Sequence, residues 1–377
     1  MTATMPALTT RNANLEDLVD LLRAQRARQI DLVLPASHIH AQHGQLILPF
    51  DAPLLTPDGV SQSGMFRPTA VCDDGLAEKL KIPRTYLRRL REERLALYDA
   101  NLNGWLADDP RRFLIRTLRG EDGNGVARAL LSDSYRIIDN LDVLTSILDG
   151  IRTAEVPVNI AGCDLTERRM YVRIACEQIA VHAPRLMSGY RSPFTGAEGT
   201  ANPLVFAGFV VSNSETGCGA FSVTPRLIFS VCDNGATFTA DALRNVHLGG
   251  RLDEGQIQWS HDTQRKNLEL IAAKTRDAVT TFLSRSYVEA KITEMEQQAG
   301  ALATHAPATI ERVAKKLAYS QETQDEILAH FIRGGQLTAG GVMHAVTSVA
   351  QTLPNPDARY AMEADALQAL QLAAAGV

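Results

Sequence analysis

Arginines in one short segment are the side chains whose type and spacing point most directly to chemistry. In LAEKLKIPRTYLRRLREE, a break at Ile82-Pro83 separates two helical patterns, and all the arginines follow the break. The second helix would present Arg84, Arg88 and Arg89 as a recognition helix presents its side chains to DNA. Guanidinium groups donate hydrogen bonds to phosphate oxygens, so the segment is a candidate for contact with nucleic acid.

Further arginines extend this pattern along the chain. From Arg84 to Arg136 the sequence holds eleven arginines and eight acidic residues, a local balance of +3 in a chain of formal net charge −5. An acidic chain can therefore still carry a local basic surface. The same segment also fits an ordinary solvated helix, neutralised by Glu92 and Glu93. The residues predicted to bind nucleic acid are Arg84, Arg88, Arg89, Arg116, Arg136 and Arg226.

Three tyrosines could supply a second kind of nucleic-acid contact. Tyr135, Tyr171 and Tyr190 could stack on unpaired bases. Tyrosines in strand-rich regions more often pack in the core or at its rim, and we favour that interpretation here.

Carboxylates at predicted strand ends and turns raise the alternative of an enzyme. A metal-dependent nuclease or hydrolase would need several of them to converge on Mg²⁺. Helix caps and tight turns explain the same residues without catalysis, so we assign no catalytic residue. The candidate carboxylates are Asp133, Asp139, Asp164, Glu215 and Asp233.

Metal and cofactor motifs are weak in this sequence. His38, His40 and His43 are the best metal candidates, but polar histidines at a strand edge explain them more simply. The five cysteines are scattered, without a C-x-x-C pair, and neither a phosphate-binding P-loop nor a dinucleotide fingerprint occurs. We therefore expect no bound metal and no cofactor.

Bulk composition limits the class of protein. The chain has 377 residues, of which 45% are hydrophobic and 21% charged, which is enough apolar material for a core and for two or three domains. No apolar stretch approaches the ~20 residues that span a bilayer, and the N-terminus lacks the order of a signal peptide. We expect a cytoplasmic protein without a membrane partner.

Hydrophobic periodicity indicates the elements that position these residues. It predicts a first helix from Leu15 to about Arg28 with Asn14 as N-cap, then IDLVLP and QLILPF as a strand pair. The fold class is α+β, a strand-rich central domain with a helical N-terminal insert and a helical C-terminal region. Four regions follow: 1–65, a helix and strand pair; 66–112, helix-turn-helix-like; 113–259, a strand-rich core; and 260–377, helical.

The C-terminal region is predicted to be helical throughout. A long pattern runs from about Asp262 to Gln298, and its length leaves room for a break. The remaining predicted helices are Ala308 to Ala318, Gln321 to Ile332, Gly341 to Thr352 and Asp357 to Ala374.

Four segments resemble a known family. They are LLSDSYRIIDNLDVL at 130–144, DLTERRMYVRI from Asp164, GFVVSNSETGCGAFSVTPRLIFSVCDNG from Gly208 and LTAGGVMHAVTSVAQTL from Leu337. They are similar to the phage and plasmid proteins grouped as domain of unknown function 932, over about Phe66 to Ala366. The resemblance implies a mobile-element origin and a DNA-related context, and it transfers no catalytic residue. The order of strands then helices also resembles single-strand annealing recombinases at the level of fold.

Three functional hypotheses follow from these observations. The first is a phage or plasmid accessory protein that binds nucleic acid, with single-stranded DNA in recombination or annealing as its specific form. The second is the metal-dependent nuclease or hydrolase. The third is a protein-interaction partner that blocks a host factor or forms a homo-oligomer through its C-terminal helices.

Overall fold

The structure is a computed structural model that describes residues 5–56, 59–135, 137–231, 234–245 and 261–375. Within these residues the chain forms twelve α-helices and two β-sheets, with a strand-rich middle and a helical C-terminal part. The predicted α+β class is confirmed. No helix in the described ranges is long and apolar enough to span a membrane.

The strands and helices are numbered in chain order. The strands are β1 Thr10–Ala13, β2 Gln29–Pro35, β3 His40–Gln42, β4 Gln45–Thr56, β5 Gly59–Pro68, β6 Arg112–Arg119, β7 Gly125–Ser132, β8 Asn159–Leu165, β9 Met170–His182, β10 Leu204–Asn213, β11 Phe221–Phe229, β12 Gly235–Thr237 and β13 Leu243–Asn245. The helices are α1 Leu15–Arg28, α2 Ala70–Leu80, α3 Arg84–Glu93, α4 Leu95–Ala107, α5 Asn140–Thr153, α6 His261–Phe282, α7 Arg285–Ala299, α8 Ala306–Lys316, α9 Gln321–Gly334, α10 Ala339–Thr352, α11 Pro356–Ala364 and α12 Ala366–Ala374.

The first sheet has six strands in the order β2-β6-β7-β5-β4-β3. Its pairings are antiparallel except β5 with β7, which run parallel. The strands predicted to pair, β2 and β4, share this sheet but are not neighbours. Because β6 and β7 pair with β2 and β5, hydrogen bonds cross the predicted boundary at residue 113. The division into four regions stays a prediction.

Helices α2, α3 and α4 connect β5 to β6 and pack on the first sheet. The helix α2 is largely buried, and α4 buries Tyr98, Leu102 and Leu106. The helix α3 buries only Leu87 and Leu90, so most of its surface faces solvent. Together they close one hydrophobic core over this sheet.

The second sheet has seven strands, in the order β1-β8-β9-β10-β11-β12, with β13 also paired to β11. All its pairings are antiparallel. Every residue of β11 is buried, because other elements cover both faces of the sheet at that strand. Helices α1, α5 and α6 to α12 contribute to the larger hydrophobic core of this half.

The C-terminal region is helical as predicted, but its long first helix is broken. The helix α6 ends at Phe282 and α7 begins at Arg285, with Ser284 accepting the amide hydrogen of Tyr287 as N-cap. The last predicted helix is also two helices, because α11 ends at Ala364 and α12 begins at Ala366. By contrast α1 has the predicted bounds, and Asn14 caps it.

Candidate functional site

The exposed helix α3 carries the arginines that the sequence singles out. Arg84, Arg88 and Arg89 have side chains that are 53%, 49% and 73% exposed. Leu87 and Leu90 lie on the opposite side of α3, in the core. The helix therefore presents its basic side chains to solvent, as its amphipathic pattern predicts.

A tight turn sets the position of α3. Lys81 ends α2 in the left-handed region, with φ of 58°, and its amide donates to the carbonyls of Ala77 and Glu78. Pro83 directly precedes α3, where its fixed φ suits the start of a helix. The predicted pair of helices with a break at Ile82-Pro83 is therefore present.

One arginine of α3 faces inward and anchors the helix. Arg91 donates to Asp73 Oδ1 at 2.8 Å and to the carbonyl of Gly44 at 2.9 Å. The hydroxyl of Tyr98 donates to the same Asp73 oxygen at 2.7 Å. Burial raises the pKa of the Tyr98 phenol, and the charge of Asp73 raises it further. This network fixes α3 to α2 and α4.

A cleft of about 250 Å³ lies beside α3. It is formed by α2, the first residue of α3, the end of β7, the turn between β8 and β9, and the loop between β10 and β11. Elements of both sheets thus meet there. The lining residues are Val71, Asp74, Gly75, Glu78, Lys79, Arg84, Leu130, Leu131, Ser132, Tyr135, Arg168, Thr216, Gly217 and Cys218.

Two carboxylates in the cleft are each shared between two cations. Glu78 lies 3.0 Å from Lys79 Nζ and 3.5 Å from Arg84 Nη2. Asp74 lies 2.5 Å from Arg88 Nη2 and 3.4 Å from Arg168 Nη2. The cleft and its ion-pair partners therefore hold four positive and two negative groups.

A second cavity adjoins the cleft and shares Val71 and Arg168 with it. Its volume is about 650 Å³, and it lies where β1, α2 and the start of α11 approach the turn between β8 and β9. Its charged lining is balanced, because Arg11 and Arg168 are matched by Glu167 and Asp357. Of these two cavities, only the cleft beside α3 is therefore lined by more positive than negative side chains.

Behind the cleft, a buried cluster of charges joins the two sheets. Arg116 of β6 is fully buried and donates to Asp139 at 2.6 Å and to Asp31 at 3.0 Å. It also donates to the carbonyl of Glu215 at 2.9 Å, and the Glu215 carboxylate lies 2.5 Å from Arg128. Because Glu215 directly precedes Thr216, Gly217 and Cys218, this cluster holds the loop that forms one wall of the cleft.

The charges of this cluster shift pKa values in opposite directions. Burial alone would raise the pKa of Glu215, but the charges of Arg128 and Arg116 outweigh burial and lower it. Burial raises the pKa of Asp139, and Arg116 offsets only part of that effect. The lowered pKa keeps the carboxylate of Glu215 ionised at neutral pH, where it balances part of the charge of Arg128 and Arg116.

Two of the arginines predicted to bind nucleic acid are placed elsewhere. Arg116 lies inside the cluster just described, and Arg226 of β11 is buried and paired with Glu363 of α11 at 3.3 Å. Neither guanidinium can reach a ligand at the surface without breaking a buried ion pair. Their assignment to phosphate contact is corrected to a structural one. Arg136 lies outside the described residues.

The carboxylates of the enzyme alternative do not form one group. Asp139 and Glu215 both approach Arg116, but Asp164 pairs with Arg173 and Asp133 is exposed in a turn. Asp233 lies outside the described residues. Within the described ranges no set of three His, Cys, Asp or Glu side chains could hold a metal ion, and His38, His40 and His43 are all exposed.

The tyrosines and the cleft cysteine have distinct environments. Tyr171 and Tyr190 are buried, the first donating to Asp357 and the second stacked on His344, so the core interpretation holds for both. Tyr135 lines the cleft, and burial raises the pKa of its phenol to about 12. Burial also raises the pKa of the Cys218 thiol, so this thiol is protonated and a poor nucleophile at neutral pH.

Sequence patterns did not reveal most of the cleft. Arg168 and Arg169 are adjacent arginines in a turn just before a strand, and this pair is the sequence feature that could have indicated a site there. Asp74, Glu78 and Lys79 lie on α2 among its buried residues, and only the fold brings them opposite Arg168.

No family model, curated protein sequence or solved structure matches the chain. The resemblance to domain of unknown function 932 therefore stays a prediction.

Proposed function

We propose that the protein binds nucleic acid through α3 and acts as an accessory protein of a phage or plasmid in the cytoplasm. The single observation that carries the proposal is the exposure of Arg84, Arg88 and Arg89 on one short, firmly anchored helix. Arginine forks match phosphate oxygens in geometry as well as in charge.

The arrangement of α2 and α3 supports the same proposal. The first helix is buried against the sheet, a turn of a few residues follows, and the second helix faces solvent. Helix-turn-helix proteins place an exposed second helix on DNA in this way. The network of Arg91, Asp73 and Tyr98 keeps α3 rigid, so binding need not order the helix first.

Two of the three ion pairs of α3 are weak obstacles to binding, whereas Arg88 is held at 2.5 Å by the buried Asp74 and reaches a phosphate only with its exposed edge. Arg84 and Arg89 pair with Glu78 and Glu93, whose side chains are themselves more than half exposed. Pairs between exposed side chains contribute about 0 to 1 kcal/mol, so phosphates can replace the carboxylates at little cost.

The test is equilibrium binding to labelled single-stranded and duplex oligonucleotides at low salt. The triple variant Arg84→Ala, Arg88→Ala, Arg89→Ala should lose most of the affinity. A matched variant that removes three exposed helical arginines elsewhere, Arg152→Ala, Arg265→Ala and Arg285→Ala, should bind as the wild type does. Absence of binding by the wild-type protein to either oligonucleotide overturns the proposal.

A further inference from the structure

We propose that the cleft beside α3 binds a phosphate monoester, which under the proposed function is the terminal phosphate of a nucleic-acid strand. The inference rests on that function only for the identity of the molecule that carries the phosphate. The phosphate would sit among Lys79, Arg84, Arg168, Ser132 and Tyr135, which all line the cleft.

The charge of the cleft matches such a group. Glu78 is shared by Lys79 and Arg84, and Asp74 is shared by Arg88 and Arg168. The lining side chains Lys79, Arg84 and Arg168 against Asp74 and Glu78 leave a surplus of one positive charge, and Arg88, which pairs with Asp74 without lining the cleft, adds a second. A phosphate monoester carries about −1.5 to −2 at pH 7, whereas a diester inside a strand carries about −1. A terminal phosphate therefore neutralises the cleft more completely than an internal one.

Two guanidinium groups of the cleft are held loosely enough to change partner. Arg168 lies 3.4 Å from Asp74 and Arg84 lies 3.5 Å from Glu78, longer than the ~2.7–2.9 Å of a strong charge-assisted bond. Both arginine side chains are also about half exposed. Arg84 can turn its planar fork to phosphate oxygens without breaking a buried contact, and Arg168 would leave the buried Asp74 to its other partner, Arg88.

The shape of the cleft favours the end of a strand. Its floor is β7, where Leu130 and Leu131 line the cleft, and two glycines bring the walls close to that strand. A Cβ atom on Gly75 of α2 would lie 2.5 Å from the Leu130 carbonyl oxygen, and one on Gly217 would lie 2.5 Å from Leu131 Cδ2. A closed floor and a volume of about 250 Å³ suit a terminal group rather than a strand that passes through.

Hydroxyl groups at the end of β7 complete the set of donors. Ser132 and Tyr135 both line the cleft beside the cations. The hydroxyl of Tyr135 donates to the carbonyl of Ser214 at 3.4 Å, so it would have to exchange this weak hydrogen bond for one to the phosphate.

The phosphate could come from a 5′ end, a 3′ end or a free nucleotide, and the experiment separates these sources. Internally labelled oligonucleotides of one sequence would carry a 5′-phosphate, a 3′-phosphate or hydroxyls at both ends. We expect one phosphorylated form to bind about tenfold more tightly than the hydroxyl form, as charge-assisted hydrogen bonds of ~1.5 kcal/mol predict. Equal affinities of all three forms overturn the inference and leave the proposed function standing.

Two substitutions should change this preference in opposite directions. The preference is the affinity for the phosphorylated form divided by the affinity for the hydroxyl form. Glu78→Gln releases Lys79 and Arg84 and should increase this ratio, whereas Arg168→Gln removes a positive charge and should decrease it. The control Glu269→Gln, an exposed carboxylate paired with Arg265, should leave the ratio unchanged. A ratio that does not respond to Glu78→Gln and Arg168→Gln contradicts the assignment to this cleft.

A second experiment tests the phosphate site if no oligonucleotide binds. Calorimetric titration with adenosine 5′-monophosphate and with adenosine then tests the cleft alone. Binding of the monophosphate but not of adenosine, weakened by Arg168→Gln, supports the phosphate site although the proposed function has failed. If the monophosphate does not bind either, the inference is overturned as well.

Discussion

Glu215 links the two sheets through charge, and its position decides the shape of the cleft. It balances Arg128 and Arg116 of the first sheet, and its carboxylate accepts the amide hydrogen of Asn140 at 3.0 Å. Removal of one member of a buried ion pair leaves its partner charged and unpaired in a medium of low polarity. The cluster is therefore a point at which single substitutions should strongly destabilise the fold, although it lies behind the cleft and not on α3.

We predict that Glu215→Gln lowers the free energy of unfolding by about 3 to 5 kcal/mol. The substitution keeps the size of the side chain and removes the charge that faces Arg128 and Arg116. Urea denaturation followed by circular dichroism measures the change. The control Glu198→Gln removes an equally charged partner from an exposed pair with Arg191 and should cost less than about 1 kcal/mol. Equal changes in the free energy of unfolding would show that the buried cluster stabilises the fold no more than an exposed ion pair does.

At the scale of elements, the close approach of α2 to β7 is the contact that shapes the cleft. Gly75 permits this approach, because any larger residue would place its Cβ against the backbone of Leu130. Gly104 of α4, by contrast, has room for a side chain. It is exposed, and a Cβ atom there would meet no atom within 4 Å.

These two glycines give a matched prediction. Gly75→Ala should lower the free energy of unfolding by about 1 to 3 kcal/mol, because α2 must move away from the sheet. Gly104→Ala should raise it by about 0.5 to 1 kcal/mol, because alanine restricts the unfolded chain and favours the helix. Thermal and urea unfolding of both variants measure the sign of each change. Stabilisation by Gly75→Ala would mean that α2 does not lie against β7 as described.

Local signals in the sequence were sufficient for some elements and not for others. The helix α1 has the predicted bounds because Asn14 and the apolar spacing lie within the helix and its cap. The break between α6 and α7 was allowed for but not placed, since Ser284 is one of several polar residues in that stretch. Strand partners could not be predicted, because strands that pair can be far apart in the sequence. Three helices and another strand separate β5 from its partner β7 along the chain.

In the part of the chain that the structure describes, four tyrosines donate hydrogen bonds to aspartates. The pairs lie in different parts of the fold: Tyr98 with Asp73, Tyr171 with Asp357, Tyr287 with Asp241, and Tyr319 with Asp365. Burial raises the pKa of each phenol, and the neighbouring carboxylate raises it further. The folded protein therefore keeps these four protons more tightly than the unfolded chain does.

The consequence is a loss of stability in alkali. Below pH ~10, the usual pKa of tyrosine, both states keep the protons and the stabilisation is complete. Above it the unfolded chain loses the protons first, so the free energy of unfolding should fall as the pH rises from about 10. Melting temperatures measured between about pH 8 and about pH 11 test this, and Tyr319→Phe should reduce the slope. The control Tyr86→Phe replaces an exposed tyrosine and should leave the slope of melting temperature against pH unchanged. A slope that is the same in all three proteins would contradict the account.

The candidate site could be predicted from the sequence only where its residues are close along the chain. Arg84, Arg88 and Arg89 share one helix, and their exposure agrees with the amphipathic pattern. Arg116 and Arg226 look equally basic in the sequence, but their carboxylate partners Asp31 and Glu363 lie 85 and 137 residues away. Burial by partners so distant in the sequence depends on the tertiary structure, and the local spacing of residues does not predict it.

The salt dependence of the affinity for nucleic acid shows whether the arginines of α3 bind phosphates. Three neutralised phosphates predict a slope of log affinity against log salt of about −2.7 for duplex DNA and about −2 for a single strand. On oligonucleotides with hydroxyls at both ends, the variant Arg84→Ala, Arg88→Ala, Arg89→Ala should bring the slope close to zero, and the variant Arg152→Ala, Arg265→Ala, Arg285→Ala should leave it unchanged. If the α3 variant binds with the wild-type affinity and slope, nucleic acid does not bind at α3 and the account is contradicted.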